Sequence, residues 1–275
     1  MFLRDPQAST ADDLPPEIYG MKRESEKDSD DEKPFSDLYN RRFLWYYHAY
    51  LQTIKKAREK YSTMVKDNSS FTSTEFESAC NGMSGKFDYT SLERRLHAIK
   101  NAIDEETEKW ISIGVEAFRN DSPVALAFEH YFATVLKECE QRQFPIELEK
   151  EEKNPFLWHM AVFGQPMTNL DGGVFSVTIV FSKSFPEEQP RVTVRSPLFH
   201  HRVSPEGNLC YFPARPADVR SHVEAIIEAI RDEAPSYDPR TTVNPEASKL
   251  LWGTPEERKL YNRKLRRSVQ ESSDM

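Results

Sequence analysis

The sequence predicts an α+β layer fold, and three observations carry that prediction. Three runs rich in β-branched and aromatic residues, FLWHMAVFG at 156–164, GVFSVTIVFS at 173–182 and RVTVRS at 191–196, follow one another closely. Turn chemistry separates them (Gln165-Pro166, Asp171-Gly172-Gly173, and the stretch from Ser184 to Pro190). Connections this short favour an antiparallel meander over parallel βαβ units. Helical signals flank the meander on both sides, which places helices and sheet in separate layers.

The elements come in this order. Residues 1–33 hold ten acidic and five basic side chains, several prolines and no sustained periodicity. They bury too little to offset ordering, so a disordered acidic tail is expected there. Helical periodicity begins near Pro34, with Phe35, Leu38, Phe43, Tyr46, Tyr47, Tyr50, Leu51 and Ile54 marking a broad apolar stripe. The Ser-, Thr-, Asn- and Gly-rich stretch from Lys66 to Lys86 reads as a loop. A second helix carries Leu92, Leu96, Ile99 and Ile103 on one face. Together these make a helical extension over 34–121, either a small module or a layer packed on the C-terminal half of the chain.

A core domain is expected over 122–275. Ser122 and Pro123 supply an N-cap and a first-turn proline for a helix to about Gln141. After the strands, three or four in number, a loop containing Cys210 leads into the helix SHVEAIIEAI. The last helix starts at Thr254, with Pro255 in its first turn and Glu257 completing a capping box.

Bulk composition narrows the function. In 275 residues, 38% hydrophobic and 12% aromatic content suffices for a substantial core. A net charge of −8 argues against a nucleic-acid partner, whose binding would rest on phosphate neutralisation. The longest apolar run, around Val177 to Phe181, is far too short to cross a bilayer, and neither end shows an apolar signal or anchor. No membrane partner is expected. Cys80, Cys139 and Cys210 are widely spaced, odd in number and free of CxxC or Cys/His ligand spacing. Neither a structural zinc site nor a disulfide framework is expected, and a reducing cytoplasm or nucleus fits best. P-loop, GxGxxG, GxSxG and HExxH patterns are missing from the sequence, so no cofactor or metal is implied. The adjacent His200 and His201 are expected to point their rings apart on an extended backbone.

Four segments in order resemble the ubiquitin-conjugating (UBC) enzyme family. NPFLWHMAVFGQPMTNLDGGVFSVTIVF is similar to the family's first two strands, including the Gly-Gly before the second. SFPEEQPRVTV is similar to its Tyr-Pro-x-x-Pro-Pro turn into strand 3. LFHHRVSPEGNLCY resembles the His-Pro-Asn signature followed, eight residues after its Asn, by the catalytic cysteine; Arg202 to Cys210 has that spacing. YDPRTTVNPEASKLLW resembles the Asp-Pro-Leu-x-Pro-Glu-Ala segment after the crossover helix. The resemblance covers about 150 residues and implies a UBC fold: N-terminal helix, antiparallel meander, cysteine loop and C-terminal helices, here preceded by the helical extension. FLWYYHAY and GKFDYTSLERRL resemble, more weakly, the C-terminal extension of the Z-type enzyme of the same family.

The resemblance implies an ATP-dependent acyl transfer. A Cys210 thiolate would attack the activated C-terminus of ubiquitin or a ubiquitin-like protein, and an amine would then attack the resulting thioester. Cysteine suits this because its thiolate is both nucleophile and leaving group, provided apolar burial does not raise its pKa. The turn residues Glu206-Gly207-Asn208 predict a Cys210 near the surface, with Arg202 close by. His200 matches the family's structural histidine. Arg202 stands where the family has the Asn that steadies the oxyanion of the second step. Its guanidinium is either a substitute donor or a solvated arginine in a site that has lost aminolysis. Asp238 is either the family's acidic gate for the incoming amine or simply a turn-initiating Asp before Pro239. For Cys139, within an amphipathic helix, and Cys80, in a loop, the expectation is a structural role.

The departures from the family pattern concern its docking surfaces. The first helix offers Lys137 and Arg142 and little other basic charge, Glu187 replaces a loop aromatic, and the Trp-Ser-Pro-Ala loop beyond the cysteine is missing. Expected partners are ubiquitin or a ubiquitin-like protein, an activating enzyme and a ubiquitin ligase. Two functions are open on these grounds: a conjugating enzyme charged at Cys210, or an impaired UBC-like variant that binds ubiquitin or scaffolds a complex.

Overall fold

A computed structural model describes residues 35–66, 89–232 and 235–273, the side chains of 61–66 excepted. The tail expected at 1–33, most of the loop expected from Lys66 to Lys86, and Cys80 lie outside the described residues. The chain runs α1 (Ser36–Lys66), α2 (Tyr89–Arg119), α3 (Pro123–Arg142), β1 (Ile146–Glu151), β2 (Asn154–Phe163), β3 (Val174–Val180), β4 (Arg191–Val194), α4 (Val219–Arg231), a 3₁₀ turn (Pro239–Thr241), α5 (Pro245–Leu251) and α6 (Pro255–Ser273). The strands form one antiparallel sheet in the order β1-β2-β3-β4, the meander that the short connections require.

Alternation along the strands decides which face is dry. Phe156, Trp158, Met160 and Val162 of β2 are fully buried, and Phe175, Val177 and Ile179 of β3 join them through the pairs Trp158–Ile179, Met160–Val177 and Val162–Phe175. Each such large side chain contributes about 1.5–3 kcal/mol by leaving water. Phe128 and Phe132 of α3 pack on this face at 4.7 Å from Phe156 and 5.1 Å from Trp158. Val223, Ile226 and Ile230 of α4 and Tyr261, Leu265 and Val269 of α6 belong to the same core. β1, with its alternation of Ile146 and Leu148 against three glutamates and a lysine, is the fourth strand; its charge weakened the sequence signal.

The caps divide into one confirmed and one altered. Thr254 and Glu257 exchange hydrogen bonds, Thr254 N donating to the carboxylate at 2.8 Å and Glu257 N to the hydroxyl at 3.3 Å, as the capping box requires. Ser122 takes the N-cap place of α3 without a side-chain hydrogen bond, so Pro123 alone marks that start.

α1 and α2 form an antiparallel pair seated on the core, the second of the two arrangements open to them. The Tyr47 hydroxyl meets His97 Nδ1 at 2.6 Å, and Arg58 pairs with Glu93. α2 is anchored across one end of the sheet. Asn154 Nδ2 donates to the Ile111 carbonyl at 2.9 Å, and Arg191 stacks its guanidinium over Trp110 at 4.6 Å. Gly114 permits this approach, since a Cβ there would stand 2.0 Å from Asn154 Oδ1. The expected stripes need correction. Among the described side chains of α1, Leu44, Trp45, Tyr47 and Ile54 are buried, whereas Phe35, just before the helix, and Leu38 and Tyr50 are exposed; on α2, Leu92 is exposed and Ile103 buried. With FLWYYHAY apolar on nearly every face, periodicity in α1 has no unique direction.

Candidate active site

Residues 202–210 form a small hairpin whose outgoing arm docks on the edge of β4. Cys210 N donates to the Arg202 carbonyl at 2.8 Å and Ser204 N to the Asn208 carbonyl at 3.0 Å, closing the hairpin. Val194 N donates to Gly207 O at 2.8 Å and Leu209 N to Val192 O at 3.2 Å, fixing it to the sheet. Gly207 sits at φ +89°, and a Cβ there would meet Val194 O at 2.4 Å, so the tip accepts glycine alone without strain. This geometry makes Arg202 and Cys210 cross-hairpin neighbours.

The segment after α4 closes the site from the other side. Val243 N and Asn244 N both donate to the His201 carbonyl, at 3.1 and 3.2 Å. Upstream of them the Asp238 carboxylate accepts from Arg240 N at 2.9 Å and starts the 3₁₀ turn. The same carboxylate holds the Arg240 guanidinium at 2.8 Å, and those Arg240 hydrogen bonds keep Asp238 below the usual carboxylate range. Locally, Asp238 therefore does what a turn-initiating Asp before proline does. The turn aims the Arg240 carbonyl at Cys210, whose Sγ donates to it at 3.4 Å.

The histidines are enclosed. His200 is buried, its Nδ1 accepts from Arg202 N at 3.2 Å, and burial pushes its pKa down to about 4. The expectation of diverging rings is overturned: His200 and His201 lie 4.3 Å apart by ring centroid, because the backbone turns there instead of extending. His201 meets Trp252 edge-on at 5.0 Å and, among the described residues, finds no hydrogen-bond partner for either ring nitrogen. Arg202 reaches Asp232 at 3.9 Å and is only partly exposed, so it is not a freely solvated surface arginine.

The expectation of a surface thiol also needs correction. Cys210 is 0% exposed. It shares an apolar cluster with Trp45 of α1 and Val243, and Tyr46 packs against the same cluster. Burial drives the thiol pKa up to about 12; Arg202, Arg42 and Arg240 oppose that rise, and Asp238 adds to it. The Tyr46 hydroxyl donates to the Arg240 carbonyl at 2.8 Å, and Trp45 stands edge-on to Phe212 at 5.6 Å. His48 Nδ1 lies 3.1 Å from Glu206 at the hairpin tip. Trp45 and Tyr46 are the site residues that sequence reading missed. The only signal for them was an aromatic density in α1 greater than one helix face can use.

Of the remaining candidates, Cys139 is buried within α3, and burial raises its pKa to about 11. Tyr211 is buried with its hydroxyl 2.9 Å from His222 Nδ1, while Phe212 stays partly exposed. Among the described residues no group of three or more His, Cys, Asp or Glu is placed to hold a metal ion, and no helix is long and apolar enough to cross a membrane.

Comparison with known proteins adds a direct finding. A family model described as "Ubiquitin-conjugating enzyme" matches residues 132–269, from within α3 to within α6. The chain is 28% identical over 138 residues to "Ubiquitin-conjugating enzyme E2 7" of Triticum aestivum, covering 46% of this chain and 80% of that one. It is 27% identical over 129 residues to "Ubiquitin-conjugating enzyme E2 3" of Arabidopsis thaliana, covering 44% and 80%. α1 and α2 lie outside the matched region.

Proposed function

Since this chain belongs to the ubiquitin-conjugating enzyme family, we propose that it accepts ubiquitin or a ubiquitin-like protein as a thioester on Cys210 and passes it to an amine. In this reading 34–121 is an extension to a conjugating core at 122–275, working in the cytoplasm or nucleus with an activating enzyme and a ligase. One observation carries the proposal. The cysteine and the residue eight positions before it are held face to face by the Cys210 N to Arg202 O hydrogen bond, and the Asp238 segment closes over the pair.

The chemistry is two acyl transfers. The Cys210 thiolate attacks the activated carbonyl carbon of the modifier; a C–S bond forms and the previous leaving group departs. An amine nitrogen then attacks the same carbon, the C–S bond breaks, the Cys210 thiolate leaves and the amine proton goes to solvent. Arg202 and Arg240 favour that thiolate electrostatically in both steps. Arg202 is the group suited to steady the oxyanion, and Asp238 the one suited to orient the amine once its bond to Arg240 is released. His200 positions Arg202 by accepting its backbone N–H.

A charging reaction tests this. The protein is incubated with ATP, ubiquitin or a ubiquitin-like protein, and each of several activating enzymes, then run on reducing and non-reducing gels beside Cys210→Ala. A thiol-sensitive adduct lost in the variant establishes the transferase; no adduct with any combination, from the wild type or from Trp45→Ala, which removes the ring packed on Cys210, sinks it. The sealed thiol favours a second reading, an impaired UBC-like variant that binds ubiquitin or scaffolds a complex. Ubiquitin binding without charging would select it.

A further inference from the structure

Building on the conjugating role proposed for Cys210, we infer that α1 is a removable cap that keeps this thiol out of reach until the helix lifts away. The enclosure comes from side chains of α1. Trp45 and Tyr46 close over a cysteine that, on the core side, is bounded by Val243 and the Arg240 carbonyl. Acyl transfer requires the carbonyl carbon to approach the sulfur to roughly 3–3.5 Å, with space for the substrate behind it. A sulfur with no exposed surface offers no such path, so the closed arrangement and the transfer exclude one another.

α1 is placed to leave without dismantling the core. It lies along α2, and its contacts with the site run through side chains. Asp37 pairs with Arg191 at 2.6 Å, Tyr46 with the Arg240 carbonyl at 2.8 Å, His48 with Glu206 at 3.1 Å, and Trp45 with Phe212. Each partner keeps contacts outside α1: Arg191 keeps Trp110 of α2 and the Gln189 carbonyl, Arg240 keeps Asp238 and lies over the Phe212 ring, and the hairpin of Glu206 keeps β4. Lifting α1 therefore uncovers a formed site. It also strips away the burial that disfavours the thiolate, while Arg202 and Arg240 remain beside it.

Alkylation of the full-length protein resolves the inference separately from the conjugating role. Cys210 and Cys139 are labelled with iodoacetamide at neutral pH under native conditions and quantified by peptide mass spectrometry. Cys139, buried within α3, reports global unfolding. In the wild type Cys210 should label slowly; Trp45→Ala, which removes the plug, should speed it by roughly tenfold or more while Cys139 stays slow. Asp37→Asn, remote from the cysteine, should speed it severalfold and covers the case in which Trp45→Ala does not fold. If Cys210 labels only in step with Cys139 in both variants, or labels in the wild type as an open thiol does, the cap is overturned. Charging of the same variants is then compared. Fast labelling without any thioester leaves the cap standing and removes the conjugating reading, whereas equal charging of wild type and Trp45→Ala removes the cap.

Discussion

The Tyr46 hydroxyl and the Cys210 thiol donate to one acceptor, the Arg240 carbonyl oxygen, at 2.8 and 3.4 Å. A residue of the extension and the candidate nucleophile are thus joined through a single backbone atom of the 3₁₀ turn. The carbonyl has two lone pairs, so both donors are satisfied together. The arrangement holds the cysteine as a protonated thiol.

Tyr46→Phe tests how much of the seating is polar. The variant keeps the ring and loses the O–H, leaving the Arg240 carbonyl with the weaker sulfur donor alone. A lost hydrogen bond of this kind costs about 1 kcal/mol, which corresponds to roughly fivefold faster labelling of Cys210 through local opening. Urea unfolding and the alkylation rate read the two effects. Unchanged labelling would mean that the Tyr46 hydroxyl does not help to seat the helix.

Alkaline pH should loosen the structure in a defined window. The Cys210 thiol titrates near 9 when free of the fold and is pushed up to about 12 within it, chiefly by burial. Between those values the unfolded chain releases a proton that the folded chain keeps, so stability falls as pH rises, by up to about 1.4 kcal/mol per pH unit for this group. Cys139, raised to about 11, adds a similar slope over a narrower window. Cys210→Ser should flatten the decline above pH 9 in denaturant titrations. An identical slope in the variant would contradict a sealed thiol.

The acid side has the opposite sign and the same origin, burial. His200 and His201 are lowered from 6.5 to about 4 and about 2, in both cases mainly by burial. Below 6.5 the unfolded chain takes up protons that the folded chain refuses, so stability falls as pH drops, by up to about 1.4 kcal/mol per pH unit for each histidine. His201 gains nothing polar in exchange among the described residues, where both ring nitrogens lack partners. His201→Phe should therefore hold or raise stability at pH 7, its ring still edge-on to Trp252, and should flatten the acid decline between 6.5 and 4. A large loss at pH 7 would reveal a polar role for the imidazole.

Legibility in the sequence tracks the range of each signal. The meander, the helix after Pro123 and the Thr254 capping box rest on local spacing, and they stand where spacing put them. The turn at Glu206-Gly207-Asn208 was equally local, though not the hairpin built on it. Spacing could not convey contact between residues 165 positions apart: Cys210 reads as a turn-adjacent surface thiol until Trp45 is laid over it. The same limit hid the His200–His201 approach, which depends on a backbone turn pinned by Val243 and Asn244. In α1, aromatic residues on too many faces left the buried direction undetermined, and tertiary packing chose Leu44 and Trp45 over Phe35 and Leu38.

Arg202 should prove an electrostatic support for Cys210 once the cap is open. Its guanidinium is partly enclosed, pairs with Asp232 at 3.9 Å, and is first among the groups that pull the thiol pKa down against burial. In Trp45→Ala, where burial is relieved, that pull should dominate over the opposing Asp238 charge. Adding Arg202→Gln keeps part of the aliphatic stem and an amide donor and removes the charge. The pH profile of alkylation in the double variant should then shift to higher pH, with labelling at neutral pH slowed severalfold. Arg202→Asn in the same background separates the two transfer steps. If Arg202 is the working oxyanion donor, discharge of the thioester to an amine slows more than its formation; faster discharge would mean that the arginine is an impaired substitute for the family's Asn. A profile unmoved by the loss of charge would sink the electrostatic role altogether, leaving Arg202 as the backbone partner that pairs with Cys210 across the hairpin.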